Sequence, residues 1–308
     1  MSISNFKSGF VAVLGRPNVG KSTLINTLLG QKVAAVSPRP QTTRHRQLGI
    51  LTLENAQIVF VDTQGIHQPR YKLGEWMNQT AQQALEDCDA ILFLVDSSQE
   101  PSADDRLLGE FLQRLRRTPP LILALNKSDL ITKEEQTTRQ TAFANLVPVK
   151  FIASDKTSVL CISATRGDNL KDLLDALVAL LPESEPHFPE DQITDRYERQ
   201  ITADLVREAA LIFLRDEVPH GIYVQVDEFQ ERENGNAYIA ATLYVEREAH
   251  KPIVIGEGGS MLKKIGSAAR KEIENMSGRK IFLQLRVKVR KSWRDDDKAL
   301  RQFGFSKK

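Results

Sequence analysis

The first 180 or so residues alternate short apolar runs with amphipathic stretches. "FVAVL" (10–14), "QIVFVD" (57–62), "AILFLVD" (90–96), "LILALN" (121–126) and "VLCIS" (159–163) are five to seven residues long, the length of buried strands. A further strand at 47–53 is expected to pair with 57–62. Between them, apolar residues recur at helical spacing over Lys21–Gly30 and roughly over 74–87, 104–117, 134–145 and 169–181. In the first helix Leu24, Ile25 and Leu28 share a face and Gly30 is the stop signal. Strands alternating with helices imply right-handed βαβ units in a doubly wound, mostly parallel α/β sheet. Ligands of such sheets sit beyond the carboxyl ends of the strands.

The pattern then changes. "PESEPHFPED" (182–191) holds three prolines and several acids, which suits neither a central strand nor a stable helix. It divides the chain into a first domain (1–182), a linker (183–196) and a second domain (197–308). The second begins with a helix, about 197–215, with Ile201, Leu205, Ala209, Ile212 and Phe213 spaced for one face. Two alternating strands follow, "GIYVQVDEFQ" and "AYIAATLYVERE", joined by a turn at Asn234-Gly235. A short helix, a glycine turn, a helix to about Met276 and the strand "KIFLQLRVKV" (280–289) complete an α+β unit.

The 308 residues are 41% hydrophobic and 27% charged, enough for a sizeable core in each of two domains. Net charge is only +2, but from Lys251 onward there are 16 Lys/Arg against six Asp/Glu. That asymmetry points to a polyanion at the C-terminal end. Cys88 and Cys161 lie in or beside apolar runs with no Cys or His at metal spacing, so both read as small core residues. The N-terminus lacks a signal-peptide layout, and no apolar run reaches the roughly 18 residues that span a bilayer. A cytosolic or peripherally membrane-attached protein is expected.

"GRPNVGKST" fits Gly-x-x-x-x-Gly-Lys-Ser/Thr and joins a strand to a helix. Backbone N–H groups of Gly15, Arg16, Pro17–Val19 with Asn18, Gly20, Lys21, Ser22 and Thr23 would surround phosphate oxygens at a helix start (proline itself offering none). Lys21 would bring its ammonium to the β- and γ-phosphates, and Ser22 its hydroxyl to Mg²⁺. "DTQG" supplies Asp62 for Mg²⁺ through water, Thr63 and Gln64 along the turn, and Gly65 with an N–H for the γ-phosphate. "NKSD" supplies the base contacts: the Asp129 carboxylate accepts from guanine N1–H and the exocyclic amine, a donor pair adenine lacks. Asn126 would meet the N7 edge, the Lys127 stem the ring face, and an N–H from Ser163 or Ala164 the O6. GTP and GDP with Mg²⁺ are therefore the expected ligands.

This set is similar to the translation-factor-like class of GTPases. That resemblance implies a threonine joining Mg²⁺ when the γ-phosphate is present, within "SPRPQTTRHR" (37–46); Thr43 is the choice, with Thr42 next. Lys21, Thr43 and Gly65 would then carry the chemistry, and Ser22, Thr43 and Asp62 the metal. Ile66 stands where Ras-like proteins place a water-orienting glutamine, so slow intrinsic hydrolysis is expected.

A second glycine turn, "GEGG" (256–259), follows apolar "IVI" and precedes a lysine-bearing helix. It resembles the Gly-x-x-Gly loop of a type II KH domain, which clamps about four single-stranded nucleotides. Ile255, Gly256, Glu257, Gly258, Gly259, Lys263 and Lys264 are the candidate RNA contacts. A GTPase domain followed by such a domain resembles the Era family of bacterial GTPases. The likeness runs nearly the whole length and is most specific in "QTTRHR", "HFPEDQITDR", "VEREAHKPIVIGEGGSMLKKIG" and "VKVRKSWRDDDKALRQFGF". It implies binding near the 3′ end of 16S ribosomal RNA, a role in 30S subunit assembly, and loose association with the inner membrane face. No dimer signature is present, so a monomer is expected. Two residues depart from the family: Gln64, where proline is usual, and Glu257, where many KH loops carry lysine. The alternatives are a membrane-surface signalling GTPase using the basic tail and a GTPase coupled to nucleic-acid base modification. The latter would need a reactive cysteine or metal cluster, and the tail aromatics Trp293 and Phe303 are expected to pack against the second domain instead.

Overall fold

The computed structural model describes residues 6–35, 47–62, 71–152, 157–195, 198–232 and 235–305. Thr42, Thr43, Thr63, Gln64, Gly65 and Ile66 lie outside these. Two compact units divide near residue 195; short segments at 32–35 and 71–76 group with the second unit.

The first unit runs β1 (Lys7–Leu14), α1 (Lys21–Leu29), β2 (Gln47–Thr52), β3 (Ala56–Asp62), α2 (Lys72–Asp87), β4 (Ala90–Asp96), α3 (Ala103–Arg114), β5 (Leu121–Asn126), α4 (Lys133–Ala144), α5 (Val149–Ile152), β6 (Thr157–Cys161) and α6 (Leu170–Leu180). The sheet order is β2-β3-β1-β4-β5-β6, with β2 antiparallel to β3 and every other pairing parallel. β3, β4 and β5 are buried at every position, which is why they read as unbroken apolar runs rather than alternating ones. The parallel order sends β1, β3, β4, β5 and β6 toward the same edge, where the quoted motifs begin.

Local departures from the sequence reading have local causes. α3 stops at Arg114, three residues short of expectation, because Leu115 turns extended ahead of Pro119 and Pro120. β6 ends at Cys161; Ile162 N–H still donates to the Leu125 carbonyl of β5, and the chain then turns away. The Ile162 carbonyl accepts from Ser128 N–H, and Ser163 N–H donates to the Asp168 carbonyl. The one-turn α5 is too short to show a helical period.

The proline-rich segment is tied down. Gln57, fully buried in β3, donates to the Phe188 carbonyl and accepts from the N–H groups of His187 and Phe188. Farther along, Ile50 N–H donates to the Ile193 carbonyl and Leu48 N–H to the Asp195 carboxylate. A buried glutamine must spend its amide somewhere, and here it spends both ends on the segment. Glu183 and Ser184 pair with the start of β1, and residues 187–195 track the β2–β3 side of the first unit rather than hanging free.

The second unit runs α7 (Glu198–Phe213), β7 (Tyr223–Glu231), β8 (Ala237–Val245), α8 (His250–Ile255), α9 (Ser260–Ser277), β9 (Ile281–Val289) and α10 (Asp297–Gln302). Its three strands lie in the order β7-β8-β9, β7 antiparallel and β9 parallel to β8. α7 and α9 cover one face: Leu205, Ala209, Ile265, Ala269 and Ile273 pack on Ile239, Ala241 and Leu243. Ile212, expected on that face, is 48% exposed. The tail folds back over one end of the other face. Trp293 is fully buried and donates its indole N–H to the Gly221 carbonyl at 2.8 Å; Phe303 stacks on Tyr223 at 3.9 Å between centroids. The tail aromatics thus belong to the domain's own packing, as the sequence reading expected. Trp293→Ala removes the largest fully buried side chain and orphans a carbonyl, so about 3–5 kcal/mol of stability should be lost. Chemical denaturation followed through the second unit's transition checks this; a cost below about 1 kcal/mol would contradict the packing described.

Candidate functional site

The helices of this chain begin in two ways, some with a side-chain cap and others, α1, α6, α8 and α9 among them, without one. α3 and α4 each start with a full capping box, Ser102 with Asp105 and Thr132 with Glu135. α1 and α9 instead start at glycines in the left-handed region, with no side-chain cap and no acidic residue in the first turn. With no capping oxygen and no acid in the first turn, the positive dipole ends of α1 and α9 suit an anion.

At α1 the glycine is forced. Gly20 has φ +103°, and a β-carbon there would lie 2.4 Å from Asn126 Nδ2. Lys21 is deeply buried, and its ammonium donates to the carbonyls of Gly15 (2.8 Å) and Arg16 (3.1 Å). Burial lowers its pKa to about 8; Asp62 opposes this and Arg16 adds to it. Ser22 donates its hydroxyl to the Asp62 carboxylate across 3.2 Å, joining the start of α1 to the end of β3. A hydroxyl beside a carboxylate is a hard-oxygen pair, which suits Mg²⁺ with phosphate oxygens and water completing the shell.

Asn126 and Asp129 follow from the end of β5. Asn126 is buried, donating to the Val19 carbonyl (2.7 Å) and accepting from Ala164 N–H (2.9 Å). It therefore braces the phosphate-type loop against the loop after β6. The two N–H groups expected at guanine O6 both donate within the chain, Ala164 to Asn126 and Ser163 to Asp168, so an O6 would have to compete for them. Lys127 sits at φ +63° and pairs with Asp96 at 2.6 Å. Burial pushes the Asp96 carboxyl up, but hydrogen bonds from Lys127 and Ser98 outweigh it and hold the net pKa low. Asp129, in a turn over Ser128–Leu130, is half-buried, and no side chain among the described residues bonds its carboxylate.

Arg16 turns its guanidinium away from the loop onto the buried Asp105 (3.2 Å) and Asp96 (3.7 Å). Its side chain thus fixes the loop to α3 and to the end of β4. Pro17, Asn18 and Thr23 complete the loop and its first turn, with Val19 buried beneath. Asp96 was not among the expected site residues, although "LVDSS" ends a strand in aspartate just as "FVDTQ" does. Cys88 is buried, and burial pushes its thiol up to about 12; Cys161 is only half-buried, contrary to expectation, and accepts from Gln140 Nε2 at 3.2 Å. No group of three or more His, Cys, Asp or Glu residues suited to a metal ion occurs among the described residues.

In the second unit, Gly256 has φ +74° and ψ 167°, a region open only to glycine, and a β-carbon would meet Met261 N at 2.6 Å. Gly258 and Gly259 are also left-handed, with open space where side chains would be. Glu257, Lys263 and Lys264 are exposed around this turn, and Ile255 is half-buried at the end of α8. Lys264 lies 5.6 Å from the Phe213 ring centroid.

A glycine-loop phosphate cradle and a guanine-type carboxylate at the ends of parallel strands, joined to a glycine-turn α+β unit, define a P-loop GTPase carrying a KH domain. Residues 10–127 match the family described as 50S ribosome-binding GTPase, and residues 217–294 match the KH domain. Over 301 residues, 98% of each chain, the protein is 44% identical to GTPase Era of Ruminiclostridium cellulolyticum. A solved structure of Era with MgGDPNP and nucleotides 1506–1542 of 16S ribosomal RNA superposes with a TM-score of 0.88 at 39% identity, covering 98% of this chain and all of that one. An Aquifex aeolicus Era variant bound to GDP and AlF₄⁻ does so at 0.86 and 39%, with the same coverage. The chain belongs to the Era family of GTPases.

Proposed function

We propose that this protein is a GTP-operated switch that binds single-stranded 16S ribosomal RNA near its 3′ end and acts in 30S subunit assembly. The observation that carries this reading is the full-length similarity to Era in complex with MgGDPNP and 16S nucleotides 1506–1542. The name of the family matched by residues 10–127 mentions the 50S subunit, but that match spans under half the chain, so the full-length relative weighs more. The uncapped starts of α1 and α9 support two anion-binding loops in one molecule.

In this reading the loop from Gly15 to Thr23 holds the phosphates, and Ser22 and Asp62, joined by Thr43, hold Mg²⁺. Bound there, the metal would supply charge neutralisation at the phosphates. Lys21 places its ammonium there, while Gly65, with Thr63 and Gln64 beside it, presents an N–H to the γ-phosphate. Asp129 selects guanine, Lys127 covers its face, and Asn126 keeps the loops in register with Ser163 and Ala164. Ile255–Gly259, Lys263 and Lys264 take the RNA backbone. The division into domain 1–182, linker 183–196 and domain 197–308 belongs to this proposal, as do a cytoplasmic monomer and peripheral contact with the inner membrane face. No helix among the described residues is long and apolar enough to cross a membrane.

RNA crosslinked in cells, with and without a non-hydrolysable GTP analogue, tests the whole reading. Enrichment of the 16S 3′ end supports it, and an unrelated RNA population refutes it. With Ile66 in place of a water-orienting glutamine, purified protein should hydrolyse GTP well below about 1 s⁻¹. Gln64→Pro and Gln64→Ala, assayed alongside, should match the parent, because Gln64 lies two residues before Ile66.

Lys21 gives a pH signature. Its pKa of about 8 in the free protein must rise when phosphates surround the ammonium, so binding takes up a proton. GTP affinity should be flat below about pH 7.5 and fall toward tenfold per unit above about pH 8. Calorimetry in buffers of different ionisation enthalpy reads the proton directly, and Lys21→Met should abolish the uptake.

A further inference from the structure

The helix-free face of the second unit's sheet carries an aromatic and basic row that the glycine turn does not use. On β9 the side chains alternate: Leu283, Leu285 and Val287 pack into the core, while Phe282, Gln284, Arg286 and Lys288 are exposed on the other side. Phe282 is 61% exposed and lies opposite Tyr238 of β8, their rings 5.7 Å apart and 19° from parallel. Tyr238 donates its hydroxyl to Gln284 Oε1, and the Arg232 guanidinium lies 5.8 Å from its ring centroid. At the other end of this face Tyr223 and Tyr244 are covered by Phe303 of the tail. Among the described residues, no tail ring covers Tyr238 and Phe282 in this way.

Charge on this face is segregated by strand. Asp227 and Glu228 lie on β7, where they accept from Thr242 and from Gln230. Arg286 and Lys288 lie on β9, and neither has an ion-pair partner among the described residues. The other arginines nearby are committed: Arg279 to Glu198 and Glu231, Arg290 to Asp296, Arg294 to Glu246. Two stacked rings on adjacent strands, beside unpaired cations at every second residue of an edge strand, have the chemistry of a base-stacking and phosphate-binding platform.

We propose that this face, centred on Phe282 and Tyr238 and flanked by Arg232, Arg286 and Lys288, binds a second single-stranded segment of the same RNA that the Gly256–Gly259 turn holds. The proposal rests on the RNA-binding reading above and extends it. A Gly-x-x-Gly loop clamps only about four nucleotides, so a longer strand has chain left to reach another surface.

The test uses the full-length protein with 16S nucleotides 1506–1542 and a nested series trimmed from both ends. Affinity of the parent should rise in two steps as the RNA lengthens. Phe282→Ala and Tyr238→Ala should remove only the later step, weakening the long RNA about tenfold while leaving the shortest bound fragment unchanged. Phe282→Trp should restore it. Phe282 is exposed, so its removal leaves the core intact, and an unchanged unfolding midpoint verifies this. Arg286→Gln combined with Lys288→Gln should lower the salt slope for the long RNA by about one and leave it unchanged for the short. If Phe282→Ala binds long RNA as the parent does, the platform is refuted while the glycine-turn assignment stands. A Gly259→Asp protein that binds short RNA normally instead refutes the underlying reading. Loss of binding to phosphatidylglycerol vesicles in Phe282→Ala, with RNA affinity unchanged, makes the face a lipid contact and also overturns the proposal.

Discussion

Asp129→Asn is expected to lower GTP affinity at least about a thousandfold and to create affinity for xanthosine triphosphate. Guanine presents N1–H and an exocyclic amine side by side, and a carboxylate accepts from both. An asparagine offers one acceptor and one donor, so its NH₂ opposes the guanine amine and two buried donors go unmatched. Sites built around a hydrogen-bonding pair reject the mismatched partner by about 10⁴–10⁵. Xanthine carries a carbonyl at C2, which restores the match to the amide. The structure favours a clean result, because Asp129 is half-buried with no side-chain partner among the described residues, so its replacement disturbs no network. Equilibrium binding of both nucleotides by the variant is the measurement; a GTP affinity within tenfold of the parent would remove Asp129 from the base site.

Gly259→Asp carries the second large effect, loss of RNA binding with nucleotide binding retained. A β-carbon at Gly259 meets nothing within 4 Å, so the carboxylate would project into open space at the uncapped start of α9. Residue 259 is itself the N-cap of that helix, so an aspartate there also neutralises the positive end that an RNA phosphate would use. The φ of +82° makes any side chain strained, at about 1–2 kcal/mol, small beside a domain's stability. The expected result is at least a hundredfold weaker binding of the 16S fragment, with GTP affinity unchanged. Gly259→Ala separates strain from charge and should retain most of the binding. RNA affinity unaffected by the aspartate would refute the assignment of the turn.

Both glycine turns were legible in the sequence because backbone with positive φ demands glycine at fixed spacing. The same holds for β3, β4 and β5, whose apolar runs admit only a doubly covered sheet. The contacts that brace the site were not legible. Asp96 and Asp105 look like ordinary strand-end and helix-start acids, yet they anchor Lys127 and Arg16 from segments about 30 to 90 residues away. Asn126 reads as a base contact, whereas its amide is shared between Val19 and Ala164. Gln57, an apparent polar flaw in a buried strand, takes its meaning only from a segment 130 residues later.

The sequence alone indicated most element types, the two glycine turns and the carboxylate proposed to select guanine, because each is set by spacing within a few residues along one chain. The tertiary structure decided which partners hold those groups, how the proline-rich segment is bound, and that Phe282 stacks on Tyr238 beside free cations. Those outcomes depend on strand order and register, which bring distant positions together and leave no mark in any local pattern.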